Sequence, residues 1–561
     1  MNSSVQIVFG LLGGLALFIF GMNMMSECLQ KAAGEKMKAI LALLTKNPVL
    51  GVLAGALTTA VLQSSSAATV MAIGFVSAGL MSLPQAISII LGANIGTTIT
   101  AQIIAFKISD YIYVFIFLGF LVSFFARSEK VKNIGQTVFA FGLLFLGIET
   151  MGGVMKPLAA SPIFTEMIGK VSHVPVLGVL VGTLMTVVVQ SSSATIAVLQ
   201  NFASQAAADG TTSIIGLTGA IPILLGDNIG TTITALLASV GQSRDAKRTA
   251  LAHCVFNISG SLIFIWLVKP YAALIQFISP RGAEVDVISR QIANAHTGFN
   301  LIMTLLWIPL IWLLVKIVTV LIPDGEEGGQ KASEPRYLDD KLIGQPAAAL
   351  KLVAEEIVRC SSMMENALQK IADISSKERQ SRMKEVVTEV EAVQGLGESI
   401  TEYLANLFAA GVLTEEQAGQ TAGMMYVLGD VDRMANLSGD IATTLIGQKL
   451  KNKKSGFSKE AIKDLEKSLK IISHMYSGTV RVMETGDTQY VSNVAKRREK
   501  IMELDLKMRK DHMKRVSNGK CKAEHTKVYH KILHNIDRMS NSCVNIADVV
   551  QDTVDFRYFM E

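Results

Sequence analysis

The sequence predicts an all-α chain in two parts: a polytopic helical membrane half built from two repeats, and a soluble helical half behind it. Three observations carry this reading. Charge is unevenly spread, with about 28 of the Asp, Glu, Lys and Arg residues before residue 323 and about 71 after it. PVLGVLAGALTTAVLQSSSAATV at 48–70 is written again as PVLGVLVGTLMTVVVQSSSATIAV at 175–198. Each copy leads to a second shared string, GANIGTTIT at 92–100 and GDNIGTTIT at 226–234. Two matches in the same order mark an internal duplication. From about Tyr337 the chain is charged and poor in proline, with apolar residues at helix spacing, as at Leu352, Ile357, Met363, Met364 and Leu368.

In chain order, residues 5–25 are long and apolar enough to span a bilayer. Residues 27–46 are amphipathic and suit the interface. Pro48 ends that segment, and the first repeat runs over 48–106. Its QSSS interruption predicts a re-entrant hairpin or broken helix, followed by a helix over 83–106 that carries GANIGTTIT. Residues 111–126 and 134–150 read as further spans. The second repeat, 175–240, copies this hairpin and helix. Spans over 250–268 and 291–322 complete a membrane domain of residues 1–322. Residues 323–336, beginning PDGEEGGQ, read as a linker. Residues 337–561 form the soluble domain, with helices expected within 350–445 and 457–557. Loop charges do not separate by sign, so orientation is left open.

Composition sets limits. A net charge of +5 is small for 561 residues and leaves no basic footprint for nucleic acid. Five cysteines lack paired or metal spacing and read as reduced thiols. The first four residues carry no basic run, so the first span is not expected to be a cleaved signal peptide. There is no Walker loop, HExxH or cysteine cluster. The chain is therefore not expected to be an enzyme, and any transport draws on an ion gradient.

The duplicated strings carry the site chemistry. Gln63, Ser64, Ser65 and Ser66, with Gln190, Ser191, Ser192 and Ser193, place amides and hydroxyls inside apolar runs, which is costly without partners. Duplicated halves with Gly- and Ser-interrupted segments point to a transporter site at the repeat interface. An anion such as phosphate wants N–H and O–H donors, best supplied by a helix N-terminus. Packing of small residues explains Gly51, Gly55, Gly178 and Gly182, but not a contiguous QSSS twice. Asn94, Thr97 and Thr98, and Asn228, Thr231 and Thr232, each fall on one helix face. That face is expected to meet the hairpin and hold sodium, the alternative being interhelical bonding without a ligand. Asp227 stands where the first string has Ala93. A carboxylate at that depth wants a cation, and sodium is expected there; the alternative is a helix cap or a side chain facing a vestibule. His253, Asn257, His296 and Asn300 form H-x-x-x-N twice and read as structural or as supports behind the site residues.

In the soluble half, Asp430, Asp432, Asn436 and Asp440 share one helix, and Asp537, Asn541, Asn545 and Asp548 another. Oxygen ligands at this density suit a divalent metal. A solvated or bundle-pairing polar face is the alternative.

Paired QSSS motifs, each followed by G-x-N-I-G-T-T, resemble the type II sodium–phosphate cotransporter family. LALFIFGM at 15–22, HCVFNISG at 253–260 and AHTGFN at 295–300 agree. The repeated Asp432-Arg433-Met434 and Asp537-Arg538-Met539 resemble the PhoU family, a pair of three-helix bundles whose members bind metals on such faces. The resemblance implies a sodium-coupled phosphate symporter of the plasma membrane, with two inverted repeats, Na+ as coupling ion and a cytoplasmic regulatory domain. Phosphate, sodium and the bilayer are its partners, with a cytoplasmic signalling protein as a further one. Oligomeric state and transport direction stay open. Phosphate export, or a membrane-anchored phosphate-signalling protein without transport, are the alternatives.

Overall fold

A computed structural model describes residues 3–41, 47–106, 111–159, 174–207, 209–323, 333–374, 378–447 and 457–557. Every regular element among the described residues is a helix, and turns or irregular stretches join them, with one isolated bridge between Ala206 and Ser213. The chain divides into two compact units, Met1–Glu326 and Glu327–Glu561.

In the first unit, α1 (Ser3–Leu41) packs along α6 (Glu129–Ala159), and α5 (Ile112–Phe125) packs on the same helix. The first repeat is α2 (Pro48–Leu62), α3 (Ser65–Ser77) and α4 (Leu83–Ile104). The second is α7 (Pro175–Val189), α8 (Ser192–Ala203) and α9 (Gly216–Ser239). Then come α10 (Arg244–Phe264), α11 (Val268–Ile278), α12 (Glu284–Trp307) and α13 (Ile311–Leu321). Proline opens both α2 and α7, where a missing N–H costs nothing.

Among the described residues, five helices are long and apolar enough to cross a membrane, or six if a bent pair counts as one span. Trp266, Phe277 and Val188 lie open on the outside, as suits lipid and not water. The first helix runs on to Leu41, past the expected span over 5–25. One expectation is corrected. The span expected over 250–268 stops at Phe264 and turns 92° into α11. Pro270, in the first turn of α11, is tolerated there but cannot continue the preceding helix. The expected linker falls largely on 324–332, outside the described residues.

The second unit has two runs of three helices: α14 (Pro346–Ile371), α15 (Arg379–Ala409) and α16 (Glu415–Gly447), then α17 (Lys459–Thr485), α18 (Thr488–Ser517) and α19 (Thr526–Asp552). One apolar core joins them, with Ile357, Met434, Tyr476 and Met539 fully buried.

Candidate functional site

The two QSSS strings build the same local structure. Gln63 ends α2 and Gln190 ends α7, each in the left-handed region, with φ of 51° and 54°. Ser64 and Ser191 follow in extended conformation and cap the next helix. Each hydroxyl oxygen accepts a hydrogen bond at 3.2 Å, from the backbone N–H of Ala67 and of Ala194 respectively. Glutamine therefore turns the chain and serine restarts it, the usual reason for serine at an N-cap. The first-turn amides of α3 and α8 are left without intrahelical acceptors.

The repeats also pack alike. A Cβ on Gly92 would stand 1.9 Å from the Val52 carbonyl oxygen, and one on Gly226 2.0 Å from that of Val179. Bare backbone is what lets α4 cross α2, and α9 cross α7.

Both breaks open on one cavity of about 260 Å³. All eight QSSS residues line it, with Val189 and with Ile19, Met22, Asn23 and Ser26 from α1. Two helix N-termini therefore face one small space, together with the six serine hydroxyls and two carboxamides of the QSSS strings and with Asn23 and Ser26 of α1. The partial positive charge of the N-termini favours an anion, and among the described residues no lysine or arginine lines the space. Neighbouring threonines brace the breaks: Thr100 donates to Gln63 Oε1 at 2.9 Å, and Thr234 Oγ1 lies 3.1 Å from Ser66 Oγ. Sequence reading passed over both, although they close the shared GxNIGTTIT strings.

The other predicted residues lie elsewhere. Asn94, Thr97, Thr98, Asn228, Thr231 and Thr232 do not line the cavity. The four threonine hydroxyls donate to carbonyls of their own helices, at Ala93, Ile95, Asp227 and Ile229. Asn94 Oδ1 is 3.1 Å from His253 Nε2, and Asn300 reaches Asn228 Oδ1 at 3.4 Å. The two H-x-x-x-N helices thus cover the two asparagines. Asp227 is 0 % exposed and sits in the middle of α9, so it neither caps a helix nor faces a vestibule. Its Oδ1 accepts from Thr186 at 2.6 Å, a partner the sequence reading missed.

The divalent-metal expectation is corrected. Among the described residues, no three or more His, Cys, Asp or Glu side chains gather to hold a metal. Cations and amides of the bundle take the acidic groups instead. Asp430 pairs with Arg433 at 3.1 Å and accepts from Ser542, Asp440 pairs with Lys531 at 3.1 Å, and Asp537 pairs with Arg498 at 3.0 Å. Asn436 donates to Asp432, Arg498 donates to Asn541, and burial beside Asp552 raises the Asp548 carboxyl. These faces pair helices.

Comparison with known proteins agrees with this architecture. Residues 17–153 and 155–304 match the Na+/Pi-cotransporter family, and residues 465–550 match the PhoU domain. The "Uncharacterized protein YqeW" of Bacillus subtilis (strain 168) is 34% identical over 309 residues, 55% of this chain and 96% of that protein. The "Putative inorganic phosphate export protein YjbB" of Salmonella typhimurium is 23% identical over 97% of each chain. The "Sodium-dependent phosphate transport protein 2A" of Rattus norvegicus is 41% identical over 101 residues, 17% of this chain and 15% of that protein. No solved structure matches the chain. By the family match over residues 17–153 and 155–304, half of its length, the chain belongs to the Na+/Pi-cotransporter family.

Proposed function

We propose that the chain moves inorganic phosphate across a membrane, coupled to sodium, through the cavity between the two QSSS breaks. The observation that carries this is the pairing of two helix N-termini and the six QSSS serine hydroxyls on one space, with no fixed cation among the described residues that line it. Phosphate is recognised there by amide and hydroxyl donors, and it can leave because no lysine or arginine among those residues holds it. A carboxylate substrate lacks the arginine partner it commonly takes.

Sodium suits the layer made by Asn94, Thr97 and Thr98 and by Asn228, Thr231 and Thr232. A threonine whose proton is committed to a helix carbonyl turns only lone pairs outward, the right polarity for a cation. The soluble unit is assigned a cytoplasmic, regulatory role. Outward flow is a second reading, favoured by likeness along nearly the whole chain to proteins named for phosphate export.

Labelled phosphate uptake into proteoliposomes, with the sodium gradient imposed in each direction, tests these readings. Flux that follows the gradient supports sodium coupling. Flux indifferent to sodium removes the coupling, and no flux in either direction leaves the signalling alternative.

A further inference from the structure

Three aligned positions meet in space in the second repeat, and the two repeats differ at two of them. Thr59, Ala68 and Ala93 in the first correspond to Thr186, Thr195 and Asp227 in the second. In the first repeat the Thr59 hydroxyl is fully buried and finds no partner. In the second, Thr195 Oγ1 lies 3.0 Å from Thr186 Oγ1, which lies 2.6 Å from Asp227 Oδ1. Thr186 has one proton. Given to Asp227, it leaves Thr195 as the donor to Thr186, so the hydroxyls run in line toward the carboxylate. Asp227 Oδ2 has no hydrogen-bond partner, although the residue is 0 % exposed.

We propose that Asp227, Thr186 and Thr195 form a sodium site that belongs to the second repeat alone. This rests on the sodium-coupled reading above and gives one of its ions a place. A charged carboxylate at this depth, with one hydroxyl donor and no Lys, Arg or His paired to it among the described residues, needs a cation on its free oxygen. The ligand chemistry names the class. The candidate ligands are all oxygens, with no sulfur or imidazole, which selects a hard ion and not a transition metal. There is one carboxylate, where divalent sites gather more acidic charge. A monovalent hard ion is what remains.

The site also lies beside the phosphate cavity without lining it. Ser192, which does line it, precedes Thr195 by one turn on α8, and α7 carries both Thr186 and the cavity residue Val189, with Gln190 just past its end. An ion on Oδ2 therefore steadies the second break and not the first, which makes the two halves of the carrier unequal.

The test is equilibrium binding of radioactive sodium to the full chain in detergent, without phosphate, with choline as the replacing cation. Thermal unfolding is followed over the same sodium series. The parent is expected to bind sodium and to be stabilised by it. Asp227→Asn should lose one bound ion per chain. Thr195→Ala, which restores the residue of the first repeat, should weaken that ion about tenfold, through loss of one oxygen ligand. Sodium binding unchanged in both variants overturns the site. Should Asp227→Asn not fold, Thr195→Ala and Thr186→Val decide alone, and unchanged binding in both overturns it equally. Equal stabilisation of the parent by choline also overturns it. The parent's phosphate flux is measured alongside. Flux that ignores sodium sinks the coupled reading as a whole, whereas sodium-driven flux with unaltered binding in the variants sinks only this site.

Discussion

Gln63 and Gln190 are the two non-glycine residues with positive φ among the described residues, at 51° and 54°, and both side chains line the same cavity. A left-handed glutamine costs about 1–2 kcal/mol, and such strain persists where a site requires it. Gln63→Gly and Gln190→Gly separate the backbone from the carboxamide. Each should fold at least as well as the parent by thermal unfolding, yet lose phosphate transport, as should each Ala variant. Transport near the parent's rate in a glycine variant would mean that glutamine serves the turn and not the substrate.

Thr100 holds Gln63 Oε1 at 2.9 Å inside the protein. Removing that donor costs about 1 kcal/mol, roughly a fivefold weakening of whatever Gln63 binds. Thr100→Val should raise the phosphate concentration for half-maximal uptake by that factor, while Thr100→Ser should restore it. A change in maximal rate alone would point to a different role.

Gly92 and Gly226 face the carbonyls of Val52 and Val179 at distances no Cβ tolerates. Gly92→Ala and Gly226→Ala should each destabilise the membrane unit by about 1–3 kcal/mol or more through overpacking. Gly153 offers the control, because a Cβ there meets nothing within 4 Å. Gly153→Ala in α6 should be neutral or slightly stabilising. Thermal unfolding in detergent ranks the three.

Both QSSS strings and both GxNIGTT strings precede residue 327, within the first compact unit. A chain ended after residue 326 should therefore still carry phosphate in proteoliposomes, with altered regulation. A well-folded truncated protein without flux would place part of the transport machinery in the second unit.

Burial pushes the Cys360 thiol up to about 12, against the opposing pull of Arg359. The folded chain keeps this thiol neutral, whereas the unfolded chain ionises it above about pH 8.5. Stability from this group is thus fully present below that pH and falls as pH rises toward 12, by up to about 1.4 kcal/mol per pH unit. Thermal unfolding of the full chain above pH 9 should show a shallower decline for Cys360→Ser than for the parent. Parallel declines would show that Cys360 does not contribute to the loss.

Much of this protein was legible in the sequence because its decisive signals are local. Pro48 and Pro175 start helices through their own fixed φ, and Ser64 and Ser191 cap helices three residues ahead. The duplication showed that both breaks would be alike, and helix-spaced apolar residues such as Ile357 and Leu368 marked the soluble bundle. Tertiary structure alone decided which distant groups meet. It put Gln63 and Gln190 on one cavity, turned Asn94 and Asn228 toward His253 and Asn300, and brought Thr186 onto Asp227. It also gave the acidic faces around Asp430 and Asp537 to arginines from the bundle, where the sequence had suggested a metal. A cap or a turn is determined by neighbours along the chain. A carboxylate's partner is determined by which helix packs against it, and that depends on the close crossings at Gly92 and Gly226 and on the burial of every apolar face at once.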